Sequence, residues 1–134
     1  RAIVEDKEEA YRKSEALADQ VMEENMGLTG EAYEKMREHF EFMRWYVRGF
    51  RLTARGYCFG RYVREKDGRD LLLDGKSAFQ LLEETIQEME NYIEGLIHTT
   101  FITKYPFDAQ LNPERAAFYT DALKKMLKEG KRDE

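Results

Sequence analysis

The chain is predicted to be all-α, an up-and-down bundle of about four helices with one long central helix. Three observations predict it. Prolines occur only at 106 and 113, so the first hundred residues can run helical without a break. Apolar side chains recur at alternating steps of three and four through each long segment. Cap-forming residues stand where those segments begin, at Thr29, Ser77 and Asn112. The 134 residues fit a single domain, 1–134, and the 42% of hydrophobic residues supply a core despite 37% charged ones.

The first helix is expected over about 4–26. Ala10, Ser14, Leu17 and Val21 form its apolar face, and Glu5, Asp6, Glu8, Glu9, Glu15, Asp19 and Glu23 its acidic one. Gly27 is placed to end it. The second helix is expected from Thr29 to Asp67-Gly68, some 36 residues or over about 50 Å. It carries two heptad seams. One runs Met36, Phe40, Met43, Val47, Phe50, Ala54, Tyr57; the other runs Phe42, Trp45, Gly49, Leu52, Gly56, Phe59, Val63. At about 100° per residue the seams point roughly 150–180° apart, so the helix packs on two sides. A mid-helix glycine costs about 1 kcal/mol relative to alanine. Gly49, Gly56 and Gly60 therefore imply that a helix or large ring comes close to that stripe.

The third helix is expected to start at Ser77, with Ser77-x-x-Gln80 as a capping box. Phe79, Leu82, Ile86, Met89, Ile93 and Leu96 face inward. Leu71-Leu72-Leu73 before it reads as a helical turn or a plug over the bundle end. Residues 99–112 read as an ordered apolar loop. Asn112-Pro113-Glu114 then opens a fourth helix to about Glu129, with Ala116, Tyr119, Leu123 and Met126 inward and a frayed polar tail from Gly130.

Composition and motifs narrow the functional classes. A net charge of −5 argues against nucleic-acid and anionic-membrane partners. No apolar run approaches the ~20 residues that span a membrane. The one cysteine, Cys58, forms no intrachain disulfide and suits a reducing cytoplasm. Glu94-x-x-x-His98 and His39 lack the spacing of a helical metal site. No glycine-rich phosphate loop, nucleophile motif or acid–base pair stands out, so no cofactor, metal or catalytic residue is assigned. The opening Arg1, in place of methionine, points to a piece of a longer polypeptide.

Two surfaces remain. Trp45, Gly49, Leu52, Gly56 and Phe59 form a seam that either lies inside this chain or docks a neighbouring domain or second protomer. Arg44, Arg48, Arg51 and Arg55 recur at steps of four, three and four, with Arg37 and Tyr62 on the same face. They form an anion-binding strip, or else pair with acids of the first and third helices.

The stretch from Met43 to Tyr62 (Met-Arg-Trp-Tyr-Val-Arg-Gly-Phe-Arg-Leu-Thr-Ala-Arg-Gly-Tyr-Cys-Phe-Gly-Arg-Tyr) is followed by the acidic helix Leu81–Leu96 and the ending Tyr105-Pro-Phe-Asp-Ala-Gln-Leu-Asn-Pro-Glu-Arg. It resembles the C-terminal α-helical modules of barrel-type bacterial glycoside hydrolases, the α-glucuronidase-like and hexosaminidase-like enzymes. The resemblance covers about 10–127 and rests on helix order and aromatic/Arg content. It implies a non-catalytic accessory domain that packs on a catalytic barrel or mediates dimerisation, with the catalytic acids elsewhere. Two other classes compete. One is the four-helix ligand-binding sensor of a bacterial receptor, in which the arginines would hold a carboxylate. The other is a helical adaptor that takes a partner helix beside Trp45.

Overall fold

Helix α2, Glu31–Arg64, is the spine on which the other elements lie. The computed structural model describes residues 2–24, 30–65, 72–99 and 112–132. Within them α1 spans Ala2–Glu24, β1 Leu72–Leu73, β2 Lys76–Ser77, α3 Ala78–Leu96 and α4 Pro113–Arg132. Arg44 meets Asp19 while Arg55 meets Glu8, so α1 runs antiparallel to α2. Trp45 lies beside Tyr92 and Gly95, whereas Phe59 and Val63 cluster with Ala78, Leu81 and Leu82, so α3 also runs antiparallel to α2. Glu90 pairs with Lys124 and Glu83 with Lys131, which turns α4 back again. The expected all-α, up-and-down bundle is the observed one.

The core sits between α2, α3 and α4. Phe59, Val63, Leu81, Leu82, Ile86 and Leu123 form one buried cluster, and Leu52, Met89, Tyr92 and Leu96 another. Half-buried Tyr119 packs against both. Helix α1 lies along α2. Of its described side chains Glu8 alone is buried, and Leu17 is 61% exposed.

The glycines of α2 do what their cost implied. A Cβ on Gly56 would lie 2.6 Å from Leu123 Cδ1, and one on Gly60 2.9 Å from Met126 Sδ. Both contacts come from α4, so the absent side chains let that helix close on α2. Gly95 plays the same part for the Trp45 ring, 2.6 Å from its missing Cβ.

Both start signals form as read. Ser77 Oγ accepts from the Gln80 amide at 3.3 Å, and Gln80 Oε1 accepts from the Ser77 amide at 2.9 Å. Asn112 Oδ1 accepts from the amides of Glu114 and Arg115 at 3.0 and 3.1 Å. Ser77→Ala is expected to cost about 1 kcal/mol. That lowers Tm by roughly 3–6 °C in a thermal scan.

Three details differ from the expectations drawn from the sequence. The N-cap of α2 is Gly30, at φ 87° and without a side-chain cap bond. Of the two alternatives for this run, the helical turn is replaced by a short strand, Leu72–Leu73, that pairs antiparallel with Lys76–Ser77, while Leu73 packs against the buried cluster. Asp74 and Gly75 close that hairpin at φ 54° and 77°, the left-handed pair a type I′ turn requires. Gly130 is buried inside α4 instead of starting a frayed tail. Val63 Cγ1 lies 2.4 Å from where its Cβ would be, so a side chain there would collide with α2. Gly27, Thr29, Asp67-Gly68 and most of the expected 99–112 loop lie outside the described residues.

Candidate functional site

The seam of Trp45, Gly49, Leu52, Gly56 and Phe59 is occupied from within the chain. Leu52 is 1% exposed and Phe59 fully buried, and Gly49 and Gly56 are buried too. Trp45 is half-buried, its ring centroid 5.4 Å from that of Tyr92, whose hydroxyl donates to the Trp45 carbonyl at 3.2 Å. Of the two uses open to this seam, α3 and α4 take it as the inner face of the bundle.

The arginine stripe is occupied as well. Arg44 lies 3.0 Å from Asp19 and Arg48 3.8 Å from Glu15. Arg51 lies 3.5 Å from Glu8 and 3.8 Å from Glu88, and Arg55 lies 3.2 and 3.5 Å from the same two carboxylates. These are the acids of the first and third helices. Glu8, Glu15 and Asp19 recur at steps of seven and four, so one face of α1 presents all three. The arrangement is a charge ladder that straps α1 to α2. Its inner end is nearly dry, with the Glu8 side chain 8% and the Arg55 side chain 11% exposed. Arg55 also lies over the Phe59 ring, 5.5 Å from its centroid. Buried Arg51 Nε, Arg55 Nε and Glu15 Oε1 make no hydrogen bond, so coulombic attraction rather than aligned donors holds these pairs.

The open surface is the outer edge of the other seam. Met43, Phe50 and Tyr57 are 38%, 47% and 64% exposed and recur every seven residues on α2. The Phe50 ring is fixed by neighbours: Tyr46 stacks on it at 6.4 Å and 27°, and Tyr11 of α1 tilts against it at 6.4 Å. A groove of about 400 Å³ runs alongside between α1 and α2, lined by Leu17, Ala18, Val21, Phe40, Met43 and Val47. Glu15 and Arg44, which also line it together with His39, belong to the strap.

A second cavity of about 250 Å³ lies between α2, α3 and α4, lined by Gly49, Thr53, Met89, Tyr92, Arg115, Ala116 and Tyr119. Its hydroxyls serve the frame. Thr53 donates to the Gly49 carbonyl at 2.9 Å, and Tyr119 donates to the Thr53 carbonyl at 2.8 Å. Burial, with smaller contributions from Cys58 and Tyr57, pushes the Tyr119 hydroxyl up to about 12. The raised value favours the neutral phenol in the folded state. Its contribution to stability is full below pH 10 and is lost as pH rises from about 10 to about 12. Tyr119→Phe is expected to flatten that alkaline decline in urea titrations across this range.

Elsewhere the groups are scattered. Glu94, His98 and His39 are exposed, and Cys58 is half-buried against the core. Among the described residues no three His, Cys, Asp or Glu side chains gather as metal ligands. No described helix is long and apolar enough to cross a membrane. No protein-family profile, curated protein or solved structure matches the chain.

Proposed function

We propose that the chain is a non-catalytic helical docking module, that its partner surface is the outer face of α2, and that it joins two protomers. The observation that supports this is the row of Met43, Phe50 and Tyr57, exposed at heptad spacing on a helix whose opposite seam turns into the core. Large apolar side chains in one exposed row mark an interface more often than a free surface. A seven-residue repeat is the spacing with which one helix receives another. Phe50, already wedged between Tyr46 and Tyr11, gives up little freedom on docking.

The wider setting rests on the sequence resemblance alone. A helical module of a barrel-type glycoside hydrolase would use such a face to pair two copies of the enzyme. The reducing cytoplasm that suits Cys58 is part of the same reading. The arginine stripe enters it only as the fastening for α1.

Sedimentation equilibrium over a wide concentration range tests the reading. The apparent mass is expected to climb from 15.9 kDa toward twice that value. A mass that stays at 15.9 kDa at the highest concentration contradicts it.

A further inference from the structure

We propose that the cavity between α2, α3 and α4 binds a small aromatic carboxylate with a hydroxyl at the far end of its ring, the carboxylate lying on Arg115. The cavity opens on the other seam of α2 from the docking row, so the two surfaces act independently. Hydrogen-bonding capacity is divided unevenly around its wall. The three hydroxyls that line it have each committed their hydrogen: Thr53 donates to the Gly49 carbonyl, Tyr119 to the Thr53 carbonyl and Tyr92 to the Trp45 carbonyl. The Thr53 and Tyr119 oxygens are therefore left as acceptors. The backbone at the start of α4 is spent too, since the amides of Glu114, Arg115 and Ala116 all bond to Asn112. What remains to donate is the Arg115 guanidinium, which is exposed and, among the described residues, in no ion pair.

The volume of about 250 Å³ sets the size of the guest. An apolar cavity of about 150 Å³ holds one benzene ring, while sites for drug-sized molecules start at about 300 Å³. One ring with a short acidic arm is what fits. Gly49 presents no side chain, and Met89, Tyr92 and Tyr119 supply a sulfur and two rings against which an aromatic guest packs. A carboxylate driven deep would meet oxygens that only accept, so it turns outward to Arg115, whose planar fork can receive both of its oxygens. Tyr119 stands four residues along α4 from Arg115, about 6 Å, which is close to the span of a ring. A hydroxyl at the far end of the ring can then give its hydrogen to Tyr119 or Thr53.

NMR of the whole chain with labelled methionine methyls tests the site. The probe is 4-hydroxyphenylacetate, with phenylacetate as the control that lacks the hydroxyl and 4-hydroxyphenylethanol as the control that lacks the charge. The expected result is a saturable shift of the Met89 methyl with a Kd below about 1 mM. Binding should weaken about fivefold for phenylacetate and about tenfold for the alcohol. Arg115→Gln, at an exposed side chain, should keep the amide spectrum of the fold and erase the advantage of the acid over the alcohol. No Met89 shift at millimolar probe overturns the site. Phenylacetate binding as tightly as the probe overturns the inward hydroxyl. An Arg115→Gln chain that prefers the acid by the same factor as the wild type overturns the place of the carboxylate.

Discussion

Phe59→Ala is expected to lower the free energy of unfolding by about 3–5 kcal/mol, as when a large ring is cut from a packed interior. Phe59 is fully buried among Val63, Ala78, Leu81, Leu82, Ile86 and Leu123, where α2, α3 and α4 converge. Removing its ring also strips the Arg55 guanidinium of the surface it lies over. The void cannot close by drawing α4 nearer, because Gly56 and Gly60 already admit Leu123 and Met126 to close contact. A domain of this size is stable by about 5–15 kcal/mol, so the loss takes a large share of the total. Urea denaturation should show a lower midpoint with an unchanged slope. A loss under about 1 kcal/mol would mean that the seam is not the core.

Glu8→Ala should act differently, because it strikes the strap and not the core. Removing one member of a buried ion pair costs about 3–5 kcal/mol when the orphaned charge cannot reach water. Here two arginines lose their nearest carboxylate, although Glu88 stays within 3.5 Å of Arg55 and 3.8 Å of Arg51. Helix α1 adds no other buried side chain among those described, so it can lift and let both guanidiniums hydrate. The loss is then capped by the free energy that docks α1. Native-state hydrogen exchange should show α1 amides opening at least about tenfold faster, the factor that corresponds to about 1.4 kcal/mol. The α3 amides should change little. Added salt should push the same way, since the Asp19–Arg44 and Glu15–Arg48 pairs are partly exposed and therefore screened. Equal losses of protection in α1 and α3 would show that α1 is an integral part of one cooperative unit.

Local chemistry in the sequence was legible wherever a few neighbouring residues decide the outcome. Ser77 with Gln80, and Asn112 with Pro113, form their caps from side chains within three positions. The glycines of α2 announced a close neighbour, and α4 is that neighbour. The Asp74-Gly75 turn was equally local. Its signal, Asp-Gly, follows three leucines whose apolar run fits a helical turn or a plug over the bundle end as well as a strand.

The orientation of α2 was harder to read. Its two seams share the same three–four spacing and similar apolar content, so periodicity ranks neither above the other. What decides is long-range. Helices α3 and α4 take the seam whose glycines permit close approach, and Leu52 and Phe59 are buried there. Helix α1 takes the arginine flank because its acids match that charge pattern. Tyr57 and Phe59 are two residues apart, about 200° around the helix, and one is 64% exposed while the other is fully buried. The surface left open was thus fixed by which neighbours claimed the others. Gly130 teaches the same point. It resembles a helix end in sequence, yet Val63, far earlier in the chain, requires it to be small.

The two seams of α2 can be set against each other in a single experiment. Trp45→Ala and Phe50→Glu are each followed by sedimentation equilibrium and by urea denaturation, and opposite outcomes are expected. Trp45→Ala should lose stability, because its ring fills the cradle over Gly95, yet still associate under folding conditions. Phe50→Glu should stay folded within about 0.5 kcal/mol, as exposed substitutions do, and sediment as a monomer. A Phe50→Glu chain that associates like the wild type, or a Trp45→Ala chain that is stable but monomeric, would contradict the assignment of the two faces.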